Sequence, residues 1–185
     1  MSRILRIDSS ITGEHSVSRQ LTAHIVKQLT ASDPSAEVVE RDLTADPLPH
    51  LTLEHLGPNA ELDAFMAADT VVIGAPMYNF TLPTQLKAWL DRIVSNGTTF
   101  RYSAEGKPEG LAGGKRVIVA LSRGGVYGAE LGNADFEHLE SYLRIIFAFI
   151  GITPEFVRAD GLNLGAEAKS RGVEQALGEV ERLAA

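Results

Sequence analysis

Thr70-Val71-Val72-Ile73-Gly74-Ala75-Pro76 is a near-continuous β-branched run, and a run of this kind suits a strand covered on both faces, as a parallel sheet requires. It marks a central strand. On its N-terminal side, Arg3 to Asp8 (RILRID) reads as a short strand, followed by a polar loop and a helix from about Ser16 on which Val17, Leu21, Ile25, Val26 and Leu29 recur at helical spacing. Glu37 to Asp42 is a second, weaker strand. Leu43 to Pro58, with Pro47, Pro49 and Pro58, reads as mostly irregular, before a short helix around Ala60 to Ala68. On the C-terminal side, Pro83 suits the first turn of a helix carrying Leu86, Trp89, Leu90, Ile93 and Val94, and Asn96-Gly97 suits its end. A Gly-rich excursion then covers Thr98 to Lys115. It is followed by a strand at Arg116 to Leu121, a helix at Asp135 to Phe149, a strand at Thr153 to Asp160 and a last helix at Glu167 to Leu183.

Five β/α units result. Right-handed crossovers make them an α/β three-layer fold, a five-stranded parallel sheet with helices on both faces, and five units in one small domain favour the flavodoxin-like strand order 2-1-3-4-5. The 185 residues, 44% apolar and 22% charged, suit one globular domain spanning 1–185, with no repeat or low-complexity tract to divide it. A net charge of −7 has the wrong sign for a protein whose main partner is nucleic acid. The absence of cysteine removes disulfides, Cys-based zinc sites, iron–sulfur clusters and thiol nucleophiles. His15, His24, His50, His55 and His138 show no metal-ligand spacing, so no metal is expected. The longest apolar run, Ile145 to Ile152, is far short of the roughly 20 residues that cross a bilayer. The first ten residues carry Arg3, Arg6 and Asp8 without an apolar core. A cytoplasmic protein without a membrane partner is the expectation.

In this architecture ligands bind beyond the carboxyl ends of the strands at the switch point, so the loops after the first, third and fourth strands should converge on one crevice. The first loop, Ser9 to Ser18, delivers the hydroxyls of Ser9, Ser10, Thr12, Ser16 and Ser18 near a helix start. It is a candidate phosphate nest without a Lys, suited to a terminal monophosphate ester; ordinary helix capping is the competing account. The G-x-G-x-x-G and G-x-x-x-x-G-K-[ST] patterns are absent. His15 lies inside this loop and reads as a solvated residue. The second loop, Met77-Tyr78-Asn79-Phe80, places two aromatics, a thioether and an amide after a buried strand, as a flat heteroaromatic ligand would require. The third, Ser122-Arg123-Gly124-Gly125-Val126-Tyr127-Gly128, allows close backbone approach, and amides at Gly124 and Gly125 can stabilise negative charge on a reduced cofactor.

The combination of Ser10 with Ser16-Val17-Ser18, then Ala75-Pro76-Met77-Tyr78-Asn79-Phe80, then Thr99-Phe100-Arg101-Tyr102 and Ser122-Arg123-Gly124-Gly125 closely resembles the FMN-dependent NADH azoreductases, which are flavodoxin-like NADH:quinone oxidoreductases. The resemblance runs over nearly the whole chain. It implies noncovalent FMN, with Ser10, Ser16, Val17 and Ser18 around the phosphate, Met77, Tyr78, Asn79 and Phe80 along the ring, and Ser122, Arg123, Gly124 and Gly125 at the pyrimidine side. Phe100 and Tyr127 are candidate substrate contacts. It further implies a homodimer with active sites at the interface, and two-electron ping-pong hydride transfer from NADH or NADPH to a quinone or azo compound. The flavin carries the chemistry and no side chain is nominated as a catalytic acid. The segment Leu43 to Asp69 is more compact here than the corresponding loop and helix of the family, so its substrate contacts do not carry over.

Two other readings compete. Ala120-Leu121-Ser122-Arg123-Gly124 falls one glycine short of the G-x-S-x-G nucleophile elbow, which would make Ser122 a hydrolase nucleophile. However, only His138 follows it, on a segment expected to be helical, whereas hydrolase order requires an acid between them plus a His in a late loop. A flavodoxin-type electron carrier would bind FMN through the same motifs and differ in having no pocket for a hydride donor. The fourth helix carries more apolar residues than one sheet contact needs: Leu139, Tyr142, Leu143, Ile146 and Ile150 form one stripe, and Ile145, Phe147 and Phe149 widen it. A second buried surface is therefore expected there.

Overall fold

The computed structural model describes residues 1–183. Its five-stranded parallel sheet is formed by β1 (Arg3–Asp8), β2 (Glu37–Asp42), β3 (Thr70–Pro76), β6 (Arg116–Ser122) and β7 (Glu155–Ala159), in the order β2-β1-β3-β6-β7. The order is the 2-1-3-4-5 of the sequence reading. Gly74 lies opposite Asp8, the last residue of β1, and Ala120 in β6, and β3 and β6 run on together to Pro76 and Ser122.

Alternation along the strands divides the core into two. Leu5, Ile7, Val71, Ile73, Ala75, Val117, Val119 and Leu121 face α2 (Ala60–Ala67), α3 (Thr84–Ile93) and α4 (Glu140–Phe149). Ile4, Val72, Ile118, Ala120, Val157 and Ala159 face α1 (Val17–Ser32) and α5 (Ala166–Leu183). Since β3 and β6 are buried on both faces, their sequences must be apolar at every position, and the period-2 pattern of a half-exposed strand is lost. β2 at the edge keeps no fully buried residue, in agreement with its mixed sequence.

Two elements differ from the expectation. The excursion after α3 contains an antiparallel hairpin of β4 (Phe100–Tyr102) and β5 (Pro108–Gly110). The fourth helix starts at Glu140 and not at Asp135, where its expected span begins. The Glu137 carboxylate fixes that start by accepting hydrogen bonds from the Leu139, Glu140 and Ser141 amides at 3.1, 2.8 and 3.0 Å. The hairpin also covers part of the surplus apolar surface on α4. Phe147 is in the core, Phe149 packs on Phe100 at 4.6 Å between centroids, and Ile145 stays 69% exposed.

The hairpin docks through backbone. Ala112 donates to the Ile150 carbonyl at 3.0 Å, and a Cβ added at Gly110 would lie 2.1 Å from the Gly151 nitrogen. Gly110→Ala should therefore lower stability by about 1–3 kcal/mol through overpacking, read as a reduced denaturant midpoint. An unchanged midpoint would show that the hairpin is not seated there.

Candidate functional site

β1, β3 and β6 deliver their C-terminal loops to one crevice. At its first corner Ser16 caps α1, its Oγ accepting from the Arg19 amide at 3.2 Å. The amides of Val17 and Ser18, in the first turn, have no intrahelical acceptor and remain available to an anion. The Ser18 side chain is fully buried, its Oγ 3.0 Å from that of Ser16, so it supports Ser16 and does not itself line the cavity.

The loop before α1 is held from three sides. The Ser9 hydroxyl donates to the Gly74 carbonyl at 2.6 Å. The Ser10 Oγ lies 3.0 Å from the Thr12 Oγ1 and 3.2 Å from the Tyr78 hydroxyl, which also accepts from the Ile11 amide at 3.1 Å. Arg19 grips the Ser10 carbonyl with Nε and Nη2 at 3.2 and 2.8 Å, while its Nη1 and Nη2 donate to Asp42 at 2.6 and 2.8 Å. The hydrogen bonds from Arg19 pull the Asp42 carboxyl down to about 2, against its partial burial. Beneath the loop, burial pushes the Asp8 carboxyl up, although the Thr22 hydroxyl donates to it at 2.8 Å and Arg6 lies 2.8 Å away.

The second corner is strained. Asn79 and Phe80 have φ of 46° and 71°, both left-handed. Tyr78 and Thr81 exchange two backbone hydrogen bonds around them, giving a tight turn with positive φ at both central positions. Glycine or asparagine usually fills such positions, and a Phe there costs about 1–3 kcal/mol. The His138 amide, donating to the Phe80 carbonyl at 3.0 Å, helps to fix it. Phe80 leans on Phe136 at 5.2 Å between centroids, and both rings stay about half exposed at the rim.

Two adjoining cavities run between these corners. One, of about 280 Å³, is lined by Ser10, Thr12, His15, Ser16, Val17, Ser122, Lys169 and neighbours. The other, of about 420 Å³, is lined by Met77, Asn79, Phe80, Gly124, Gly125, Tyr127, Asn163 and Leu164. They share Met77, Gly124 and Asn163, and no Asp or Glu lines either one. In a chain of net charge −7, an acid-free groove is a local departure that favours an anion at the helix end.

Arg123 departs from its expected role. It lines neither cavity; it is buried, with Nε and Nη2 donating to Asp160 at 2.6 and 2.8 Å and Nη1 lying 3.5 Å from Glu137. Its contribution is to hold the Gly124-Gly125 loop, whose carbonyls accept from the Asn163 and Gly161 amides at 3.0 Å each. Phe100 also lies elsewhere, in a separate depression with His55, Leu56 and Arg92. Tyr127 is at the ring-end cavity as expected. Sequence reasoning missed Leu162, Asn163, Leu164 and Lys169. The loop after the fifth strand of the sheet opens on the same edge, and that topological rule was the signal that could have found them. His15, read as a solvated loop residue, lines the smaller cavity.

The two cavities fit a phosphate-bearing flat cofactor. The first-turn amides and the Ser16 hydroxyl suit the phosphate, and the glycine loop with Met77 to Phe80 leaves a shallow cleft of mixed polarity for a ring. A hydrolase reading finds no acid for a triad around Ser122, and His138 uses its backbone to anchor Phe80.

Comparison with known proteins defines the class first: a family model described as a flavodoxin-like fold matches residues 2–184. An azoreductase from Bacillus anthracis str. Sterne superimposes with a TM-score of 0.88 at 27% identity, covering 100% of this chain and 99% of that one. The FMN-dependent NADH:quinone oxidoreductase 2 of Bradyrhizobium diazoefficiens is 55% identical over 95% of each chain. An FMN-dependent NADH:quinone oxidoreductase of Methylorubrum extorquens is 52% identical, also over 95% of each. The chain belongs to the family of FMN-dependent NADH:quinone oxidoreductases.

Proposed function

We propose that this protein is an FMN-dependent NAD(P)H oxidoreductase that reduces quinones and aromatic azo compounds. The observation that carries the reading is the acid-free groove running from the α1 N-terminus to the strained turn at residues 78–81; relatives at 55% and 52% identity support it. When bound, FMN supplies the two-electron carrier between the nicotinamide and the acceptor.

The residues of the chain bind and orient. Ser10 and Ser16, with the Val17 and Ser18 amides, hold the phosphate, and Ser18 acts through Ser16. Met77, Tyr78, Asn79 and Phe80 flank the ring, while Ser122 and the amides of Gly124 and Gly125 address its polar edge, where preorganised donors favour negative charge. Arg123 positions that edge from behind. In this reading nicotinamide and acceptor use the ring-end cavity in turn, as ping-pong exchange requires. Tyr127 and the half-exposed Phe80, backed by Phe136 at the rim, give it aromatic surface suited to quinones and azo compounds.

The working form is a homodimer of this single flavin-binding unit, with the sites at the interface. Exposed Leu53, Leu56, Tyr102 and Ile145 support a covered surface. Phe100, remote from the groove of its own chain, enters the reading as a residue presented to the partner's cavity. A cytoplasmic setting accords with the reading, and among the described residues no helix is long and apolar enough to cross a membrane.

The test is spectroscopic. Purified protein should be yellow or take up FMN, release FMN and not FAD on denaturation, and lose its flavin absorbance when NADH is added anaerobically without a partner protein. A quinone should then restore the absorbance. Protein that neither carries nor binds FMN would end the reading, and FMN that NADH cannot bleach would leave an electron carrier.

A further inference from the structure

We infer that Lys169 is the counter-charge of the cofactor phosphate, so that the phosphate is held between the first turns of two helices, α1 and α5. The inference rests on the FMN reading and assigns a residue and a specificity to it.

Lys169 lines the same 280 Å³ cavity as Thr12, His15, Ser16 and Val17, and reaches it from α5. The amides and hydroxyls on the α1 side carry only partial charges, and a phosphate monoester at neutral pH carries between one and two full negative charges. Lys169 brings the one full cationic charge in that lining, and the lining contains no carboxylate to neutralise it.

Its pairing is as informative as its place. Arg19, Arg123 and Arg158 are committed to Asp42, Asp160 and Glu140. Glu167, the acid nearest to Lys169 in sequence, pairs instead with Arg171 one turn further on, and no described carboxylate forms an ion pair with Lys169. The position is also electrostatically unfavourable for the helix itself. Lys169 is the fourth residue of α5, in the first turn, where the macrodipole favours acids and disfavours a cation. A phosphate across the cavity would offset that cost and compensate both helix ends at once.

The experiment measures FMN and riboflavin binding by flavin fluorescence for the wild type, Lys169→Met and Lys169→Arg, at pH 8 and at low and high ionic strength. Lys169→Met should weaken FMN about tenfold at low salt and leave riboflavin unchanged, since a charge-assisted contact to phosphate is lost while the ring contacts stay. The difference should shrink toward unity at about 1 M salt, where the screening length is roughly 3 Å, and Lys169→Arg should recover most of the FMN affinity. Three results would overturn the assignment: equal FMN affinity for wild type and Lys169→Met, a parallel loss of riboflavin, or a loss indifferent to salt. Wild type that binds no FMN would instead overturn the functional reading beneath it, and this assignment with it.

Discussion

Arg123→Met should destabilise the protein by about 3–5 kcal/mol at pH 8, the usual cost of removing one partner from a buried ionic cluster. Arg123 is 4% exposed, and its loss would strand the Asp160 carboxylate behind the glycine loop, whereas Glu137 keeps its three α4 amides and Glu140 keeps Arg158 and Arg144. Chemical denaturation of both proteins reads this directly. A midpoint equal to wild type would contradict the account. Folded variant should also bind FMN less well, because the cluster positions Gly124 and Gly125.

The second large effect falls on the cofactor. Ser16→Ala combined with Ser18→Ala should weaken FMN by about 3 kcal/mol, more than a hundredfold, given about 1.5–3 kcal/mol for each hydrogen bond to a charged group. The two losses should not add fully, since the Ser18 Oγ is buried against that of Ser16 and acts through it. Riboflavin, which lacks the phosphate, should bind almost as before. Equal weakening of both ligands would mean that these serines do no more than cap α1. Some loss of stability, about 1 kcal/mol, is expected from the missing cap.

The sheet was legible because its evidence is local and repeated: β-branched strands, helical periodicity and right-handed crossovers leave one arrangement for Thr70–Pro76 and its neighbours. The start of α1 was legible for a similar reason, since Ser16 at the head of an apolar helical period reads as a cap, and its Oγ accepts from the Arg19 amide. Arg123 was not. Its position beside two glycines suggested ligand contact, and only the fold brings Asp160 and Glu137 to it from distant segments. Lys169 was hidden in the same way, on a helix that begins after the fifth strand of the sheet. The hairpin at residues 100–110 carries three residues per strand, too few for a period to register. The left-handed Phe80 contradicts local preference outright, and tertiary contacts such as the His138 amide impose it.

Arg19 ties the Ser10 carbonyl to Asp42, the last residue of the outermost strand, β2. A loop fastened in this way inherits the opening equilibrium of the sheet edge, and edges fray at free energies well below global unfolding. Cofactor residence time is then governed by breathing of the periphery and not by melting of the core. On heating, flavin should escape while the doubly covered strands β3 and β6 are still protected from hydrogen exchange. Engineering for retention of the flavin therefore belongs at the β1–β2 margin, behind the residues that touch it.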